Sequence, residues 1–202
     1  MQALEFGRYY HIYNRGINSC NLFEENSNFE HFLRLYEKYI LPVADTFAYC
    51  LMSNHFHFLV RIKEEKEILT NLSGIQNPDR FNRFNIPNRP SKQFSNLFNA
   101  YTKAFNKRNN RTGPLFERPF KRILIENEAY LRYLVYYIHH NPVKHGFVED
   151  MIEYPWSSYL TVSSPKKTNL KREDVISWFE DVENYEYFHK VEHGLDKIKD
   201  LI

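Results

Sequence analysis

The chain has 202 residues, enough for one or two domains with a real core. Aromatic residues make up 17 %, and the formal net charge is only +2 with a pI of about 8.4, so total charge alone does not mark a nucleic-acid binder. Two cysteines, Cys20 and Cys50, are too few for a disulfide framework or a zinc cluster; with no signal-peptide pattern and no apolar run of membrane-span length, a soluble cytoplasmic protein with reduced thiols and no membrane partner is expected.

Arg8 to Asn14 is rich in β-formers and ends at Arg15-Gly16, which predicts a strand and a turn. Asn28 to Ile40 carries Phe29, Phe32, Leu33, Tyr36 and Ile40 at helical spacing, closed by Pro42. Asp45 to Met52 and His55 to Ile62 read as strands, and Ser53-Asn54 between them permits a tight antiparallel hairpin. Lys63 to Lys92 is polar and Pro-rich, a loop insertion with a short helix near Ile68 to Leu72. Gln93 to Lys107 reads as a helix broken by Asn109 to Pro114, and Phe120 to Ile125 as a short strand. Glu126 to His140 is a helix capped by Asn127, expected to stop at Asn141-Pro142 because proline disfavours helical geometry in the residue before it. Tyr154 to Val162 and Arg172 to Phe188 read as helices. The order β-α-β-β-α-β predicts an α+β fold: a ferredoxin-like antiparallel sheet with helices packed on one face, leaving the other for a site. Residues 1–160 would form the functional body, interrupted by the 63–92 insertion, with a helical C-terminal extension over 161–202.

Within the second strand of the hairpin, His55 and His57 share one face, because successive strand side chains alternate, while Phe56, Phe58 and Val60 line the other. Two adjacent imidazoles suit a divalent metal. On the helix from Glu126, Tyr137 and Asn141 lie one turn apart on one face. A metal held by His55, His57 and the Asn141 carbonyl oxygen would place a phenol beside a polarised phosphate, with Mg²⁺ or Mn²⁺ the ions suited to phosphoryl chemistry. Tyr136, Tyr133 and Tyr101 remain competing nucleophiles. Between Lys103 and Arg122 stand seven basic residues against Glu117. From this block Arg108, Arg111, Arg118, Lys121 and Arg122, together with Arg15 and Lys144, are candidate phosphate contacts, with a solvated basic face as the plainer reading. Phe116 and Trp156 read as core, and His139 and His140 as neighbours of the site.

Four ordered motifs carry a resemblance. Tyr10-His11-Ile12-Tyr13-Asn14-Arg15-Gly16 is followed by Leu51-Met52-Ser53-Asn54-His55-Phe56-His57-Phe58-Leu59-Val60, then by Gly113-Pro114-Leu115-Phe116-Glu117-Arg118-Pro119-Phe120, then by Tyr137-Ile138-His139-His140-Asn141-Pro142-Val143-Lys144-His145-Gly146; Trp156-Ser157-Ser158-Tyr159 closes the series. Over residues 8 to 160 the chain resembles the single-tyrosine HUH transposases of insertion sequences, and in particular the REP-associated tyrosine transposases. The resemblance implies a divalent metal at His55 and His57, with Asn141 at the position of the third ligand, often a glutamine in insertion-sequence members. It also implies that Tyr137 attacks a DNA phosphate, leaving a 5′-phosphotyrosine link and a free 3′-OH. The implied partner is a single-stranded DNA hairpin or repetitive palindrome. The resemblance leaves open whether the chain works as a homodimer or a monomer. Two rival readings stand beside it: a domesticated hairpin-binding module that does not cleave, and a metal-dependent phosphoesterase that uses water.

Overall fold

A computed structural model describes residues 3–68, 89–191 and 193. Its centre is a four-stranded antiparallel sheet of β1 (Tyr9–Arg15), β2 (Ala44–Met52), β3 (His55–Ile62) and β4 (Lys121–Ile125), in the order β2-β3-β1-β4. This is the ferredoxin-like order expected from the alternation of elements. Helices α1 (Asn26–Tyr39) and α2 (Arg89–Arg108) are the two crossovers, and both pack on one face. The even-numbered residues Tyr10, Ile12, Phe56, Phe58, Val60 and Ile62 point to that face and meet Phe29, Phe32, Tyr36, Phe94, Leu97, Phe98 and Tyr101. Phe116 is buried in this core, and Trp156 stacks on Phe29 with ring centroids 4.5 Å apart. Of the 63–92 insertion, residues 65–68 are helical and α2 begins at Arg89; the remainder of the expected short helix near Ile68–Leu72 lies outside the described residues.

The opposite face carries the odd-numbered residues of β1 and β3 and is covered in part by α3 (Leu131–Lys144) and by α4 (Tyr159–Ser163), α5 (Arg172–Trp178) and α6 (Val182–Lys190). Phe47, Ala48, Leu59, Leu134, Val135, Ile138, Tyr159, Val175, Phe179 and Tyr185 form a second core here, so the C-terminal helices share packing with α3.

Three elements differ from expectation. α3 runs through Pro142 to Lys144. Its end is set instead by a Schellman arrangement: Gly146 has φ 70°, its N–H donates to Val143 O (2.9 Å), and Phe147 N–H donates to Pro142 O (2.8 Å). Proline this near the C-terminus removes a single ladder bond, and these turn bonds carry the helix past it. The expected helix Tyr154 to Val162 starts only at Tyr159, because Trp156 and Ser158 bond along the edge of β2 (Leu51 N to Trp156 O, Ser158 N to Tyr49 O, both 2.9 Å). Arg172 to Phe188 is two helices. Glu180 adopts φ 76°, and the Asp181 side chain caps α6 by accepting from Asn184 N (2.7 Å).

Candidate active site

β3 and α3 meet over the sheet, and their meeting point holds the site. His55 and His57 stand on the α3 side of β3, where Tyr13 of β1 pairs with His57 and Arg15 with His55. The Tyr137 ring of α3 lies edge-on to His57 at 5.5 Å between centroids, and to His11 at 6.1 Å. The structure thus brings His55, His57, Tyr137 and Asn141 onto one pair of elements.

The competing tyrosines point elsewhere. Tyr101 is buried in the other core, its hydroxyl donating to Leu22 O. Tyr136 stacks on His140 and faces Phe188 and His193, and Tyr133 packs on Phe188.

Each metal-candidate histidine has its Nδ1 occupied. His55 Nδ1 is 2.7 Å from Asn54 Oδ1, and His57 Nδ1 is 2.9 Å from His11 Nε2. Burial, then His145 and Arg15, push the His55 pKa down to about 4, and burial followed by His11 and His55 holds His57 well below its ordinary value. Both imidazoles are therefore neutral at pH 7, the form that ligates metal. His57 Nε2 is buried with no hydrogen-bond partner, and so is Asn141 Oδ1. The Asn141 Nδ2 donates to the Tyr137 carbonyl at 2.7 Å, which fixes the other amide atom as the oxygen. Two buried polar atoms without partners, on facing elements, are what a bound ion would satisfy. Among the described residues no group of three His, Cys, Asp or Glu side chains is arranged to hold a metal ion, which leaves the Asn141 amide oxygen as the candidate third ligand beside His55 and His57.

Burial raises the pKa of the Tyr137 phenol, and the Asn141 amide offsets part of that rise. The Lys144 ammonium sits 5.2 Å from the centre of the Tyr137 ring. His145, one turn beyond Asn141, faces His55 with ring centroids 4.8 Å apart. It escaped the sequence reading because the helix was expected to stop before it. From the sequence His11 reads as a packing residue of the first strand; that its ring and that of Tyr13 lie 5.1 and 5.6 Å from His57 depends on a strand register not written in β1 itself. His139 does not adjoin the site. It is fully buried on the opposite side of α3, against Ser158 Oγ (2.7 Å) and His189 Nε2 (3.1 Å), because two residues along a helix turn the side chain about 200° around its axis.

The basic residues divide. Arg15 lies beside His55 and pairs with Glu117 (2.7 Å), and Lys144 lies on Tyr137. Arg118 and Arg122 line a groove of about 780 Å³ between α2 and the 114–120 segment, floored by Phe98, Phe116 and Phe120, and Lys121 is exposed next to it. This groove is on the α1/α2 side of the sheet. Arg108 pairs with Glu25, and Arg111 staples the turn after α2 through Asn106 Oδ1 (2.9 Å) and Pro114 O (2.7 Å).

No protein-family model matches the chain. The Haemophilus influenzae protein named "Putative REP-associated tyrosine transposase" is 29% identical over 117 residues, covering 57% of this chain and 58% of that protein. The matched stretch thus spans less than two thirds of that relative's length. The solved structure of a REP-associated tyrosine transposase bound to a REP hairpin superposes with a TM-score of 0.56 at 16% identity, covering 80% of this chain and 82% of that one; at that identity the likeness is one of fold. Over those 117 residues the chain is similar in sequence to a protein named as a REP-associated tyrosine transposase, and over most of its length it is similar in fold to the solved one.

Proposed function

We propose that this protein is a metal-dependent, tyrosine-using endonuclease and strand transferase acting on single-stranded DNA hairpins or repeat palindromes. The observation that carries the reading is the Tyr137 ring 5.5 Å from His57, whose Nε2 is buried without a partner, with the unpartnered Asn141 Oδ1 on the same helix. His55, His57 and Asn141 would hold Mg²⁺ or Mn²⁺, and such an ion, when bound, supplies positive charge to offset that of a scissile phosphate.

The remaining work belongs to the chain. The Tyr137 oxygen attacks phosphorus, the P–O3′ bond breaks, the DNA 3′ end leaves as a hydroxyl, and the 5′ phosphate stays on the tyrosine. An incoming 3′-OH reverses the step, so the phosphodiester energy is conserved and no nucleotide triphosphate is consumed. Burial keeps the phenol protonated at neutral pH, and the hydrogen bond from the Asn141 side chain favours its ionised form. Arg15 and Lys144 flank the site and would grip the phosphates on either side of the break. Arg118, Lys121 and Arg122 would take the strand further on. Contact through Arg15, Arg108 or Arg111 would require giving up their present partners.

The test is a denaturing gel with 5′- and 3′-labelled single-stranded hairpins, run with Mn²⁺ or EDTA, on wild type, Tyr137→Phe and Tyr13→Phe. The expected result is a metal-dependent covalent adduct that Tyr137→Phe abolishes and Tyr13→Phe retains. Cleavage without an adduct, surviving in Tyr137→Phe, would establish a water-using phosphoesterase. Hairpin binding with neither cleavage nor adduct would establish a binding module.

A further inference from the structure

His11 is fully buried and belongs to none of the roles assigned above. Its ring neighbours Tyr13 at 4.8 Å and His57 at 5.1 Å, which an ordinary packing residue would also do. The contact that packing does not explain is polar: His11 Nε2 is 2.9 Å from His57 Nδ1. One proton lies between those two nitrogens. If it belonged to His11, a neutral His57 would carry its own proton on Nε2. That N–H would be a buried donor with nothing to donate to, since Nε2 has no partner. Buried orphan donors are rarer than orphan acceptors, and leaving one costs about 1–3 kcal/mol. With the proton on His57 Nδ1, the same atom becomes a bare lone pair.

His55 offers an independent parallel. The group beside its Nδ1 is the Asn54 side-chain oxygen at 2.7 Å, which can only accept, so His55 carries its proton on Nδ1 and its lone pair on Nε2. Two different acceptors thus impose one tautomer on two neighbouring histidines.

We propose that His11 is a positioning residue: it accepts a hydrogen bond from His57 Nδ1–H and so fixes the tautomer and ring orientation that present His57 Nε2 to a divalent cation, as Asn54 does for His55. This inference rests on the metal site of the proposed function. Partners that fix a ligating histidine through its other nitrogen are worth about 10–100-fold in metal affinity.

The experiment has two arms. Long-range ¹H–¹⁵N correlation spectra of the metal-free protein, labelled on histidine, report which nitrogen of His57 is protonated. Mn²⁺ affinity by calorimetry is then compared for wild type, His11→Phe and His11→Gln, with circular dichroism as the fold control. The expected results are an Nδ1–H tautomer at His57, about 10–100-fold weaker Mn²⁺ binding in His11→Phe, and recovery in His11→Gln, whose amide oxygen takes the place of Nε2 as acceptor. An Nε2–H tautomer at His57 would overturn the proposal, as would a folded His11→Phe that binds Mn²⁺ like wild type. Should His11→Phe fail to fold, the wild-type tautomer decides. Wild-type protein that binds no Mn²⁺ would instead overturn the metal site itself, a failure separate from the hydrogen-bond direction.

Discussion

The Asn141 amide donates from Nδ2 to the Tyr137 carbonyl and keeps Oδ1 buried and unpartnered. An unsatisfied buried acceptor destabilises a metal-free fold, and removing it with an apolar side chain of similar size relieves that cost. Asn141→Leu should therefore melt no lower than wild type without metal, yet lack the upward melting shift expected of wild type with Mn²⁺; differential scanning fluorimetry with and without Mn²⁺ checks both halves. A fall in the metal-free midpoint would mean that the Nδ2 bond outweighs the orphan oxygen. At this scale the sequence carried much of the site. Strand alternation alone puts His55 and His57 on one face, and the four-residue spacing puts Tyr137 over Asn141. His11 and Tyr13 were not legible, because which residue of β1 stands opposite His57 depends on a register fixed by the whole sheet.

Between elements, the end of α3 decides which side chains reach the site. The Schellman turn at Gly146 keeps the helix going past Pro142 and so brings Lys144 to Tyr137 and His145 to His55. A Cβ at Gly146 meets open space, so the only cost of Gly146→Ala is its φ of 70°. A loss of about 1 kcal/mol in urea unfolding is expected, less for Gly146→Asn. Proline was the visible stop signal in the sequence; the glycine four residues later was the one the backbone obeyed. On the other side of α3, a hydrogen-bonded chain ties the helix to α6. His189 Nδ1–H donates to Tyr185 O (2.8 Å), which leaves its Nε2 to accept from His139 Nδ1–H, and His139 Nε2 to accept from Ser158 Oγ–H. Burial lowers the pKa of both histidines, His189 to about 4. Unfolded, each takes up a proton as pH falls through 6.5; folded, His189 does not until about pH 4. The unfolded state thus binds more protons in that window, and stability falls on acidification from pH 6.5 to 4. For His189 alone the loss is on the order of 3 kcal/mol. Urea unfolding at pH 7 and pH 5 should show about 2 kcal/mol of this loss, and His189→Phe should flatten the slope.

For the molecule as a whole, the strand order and the α1/α2 layer followed from the alternation of elements and the aromatic stripes. The covering of the opposite face did not, since Val175, Phe179 and Tyr185 look like an ordinary amphipathic tail until Phe47, Leu134 and Ile138 are seen to need a cover. A chain ended at Ser163 should therefore lose its near-ultraviolet circular dichroism and aggregate on gel filtration; a monodisperse, cooperatively folded product would make residues 164–202 a separable appendage. No helix among the described residues is long and apolar enough to cross a membrane.

The connectivity of the sheet also orders events in time. His55 and His57 belong to the β2–β3 hairpin, whose turn is two residues long, so local contacts can form it early. Tyr137 and Asn141 lie beyond β4, which reaches its place only by pairing Tyr9 with Ile125 across most of the chain. Closing so long a loop is slow and comes late. A nascent or partly unfolded chain would thus hold the histidine pair without Tyr137 and Asn141, and the complete candidate site would be the last feature the protein acquires as it folds and the first it loses as it opens.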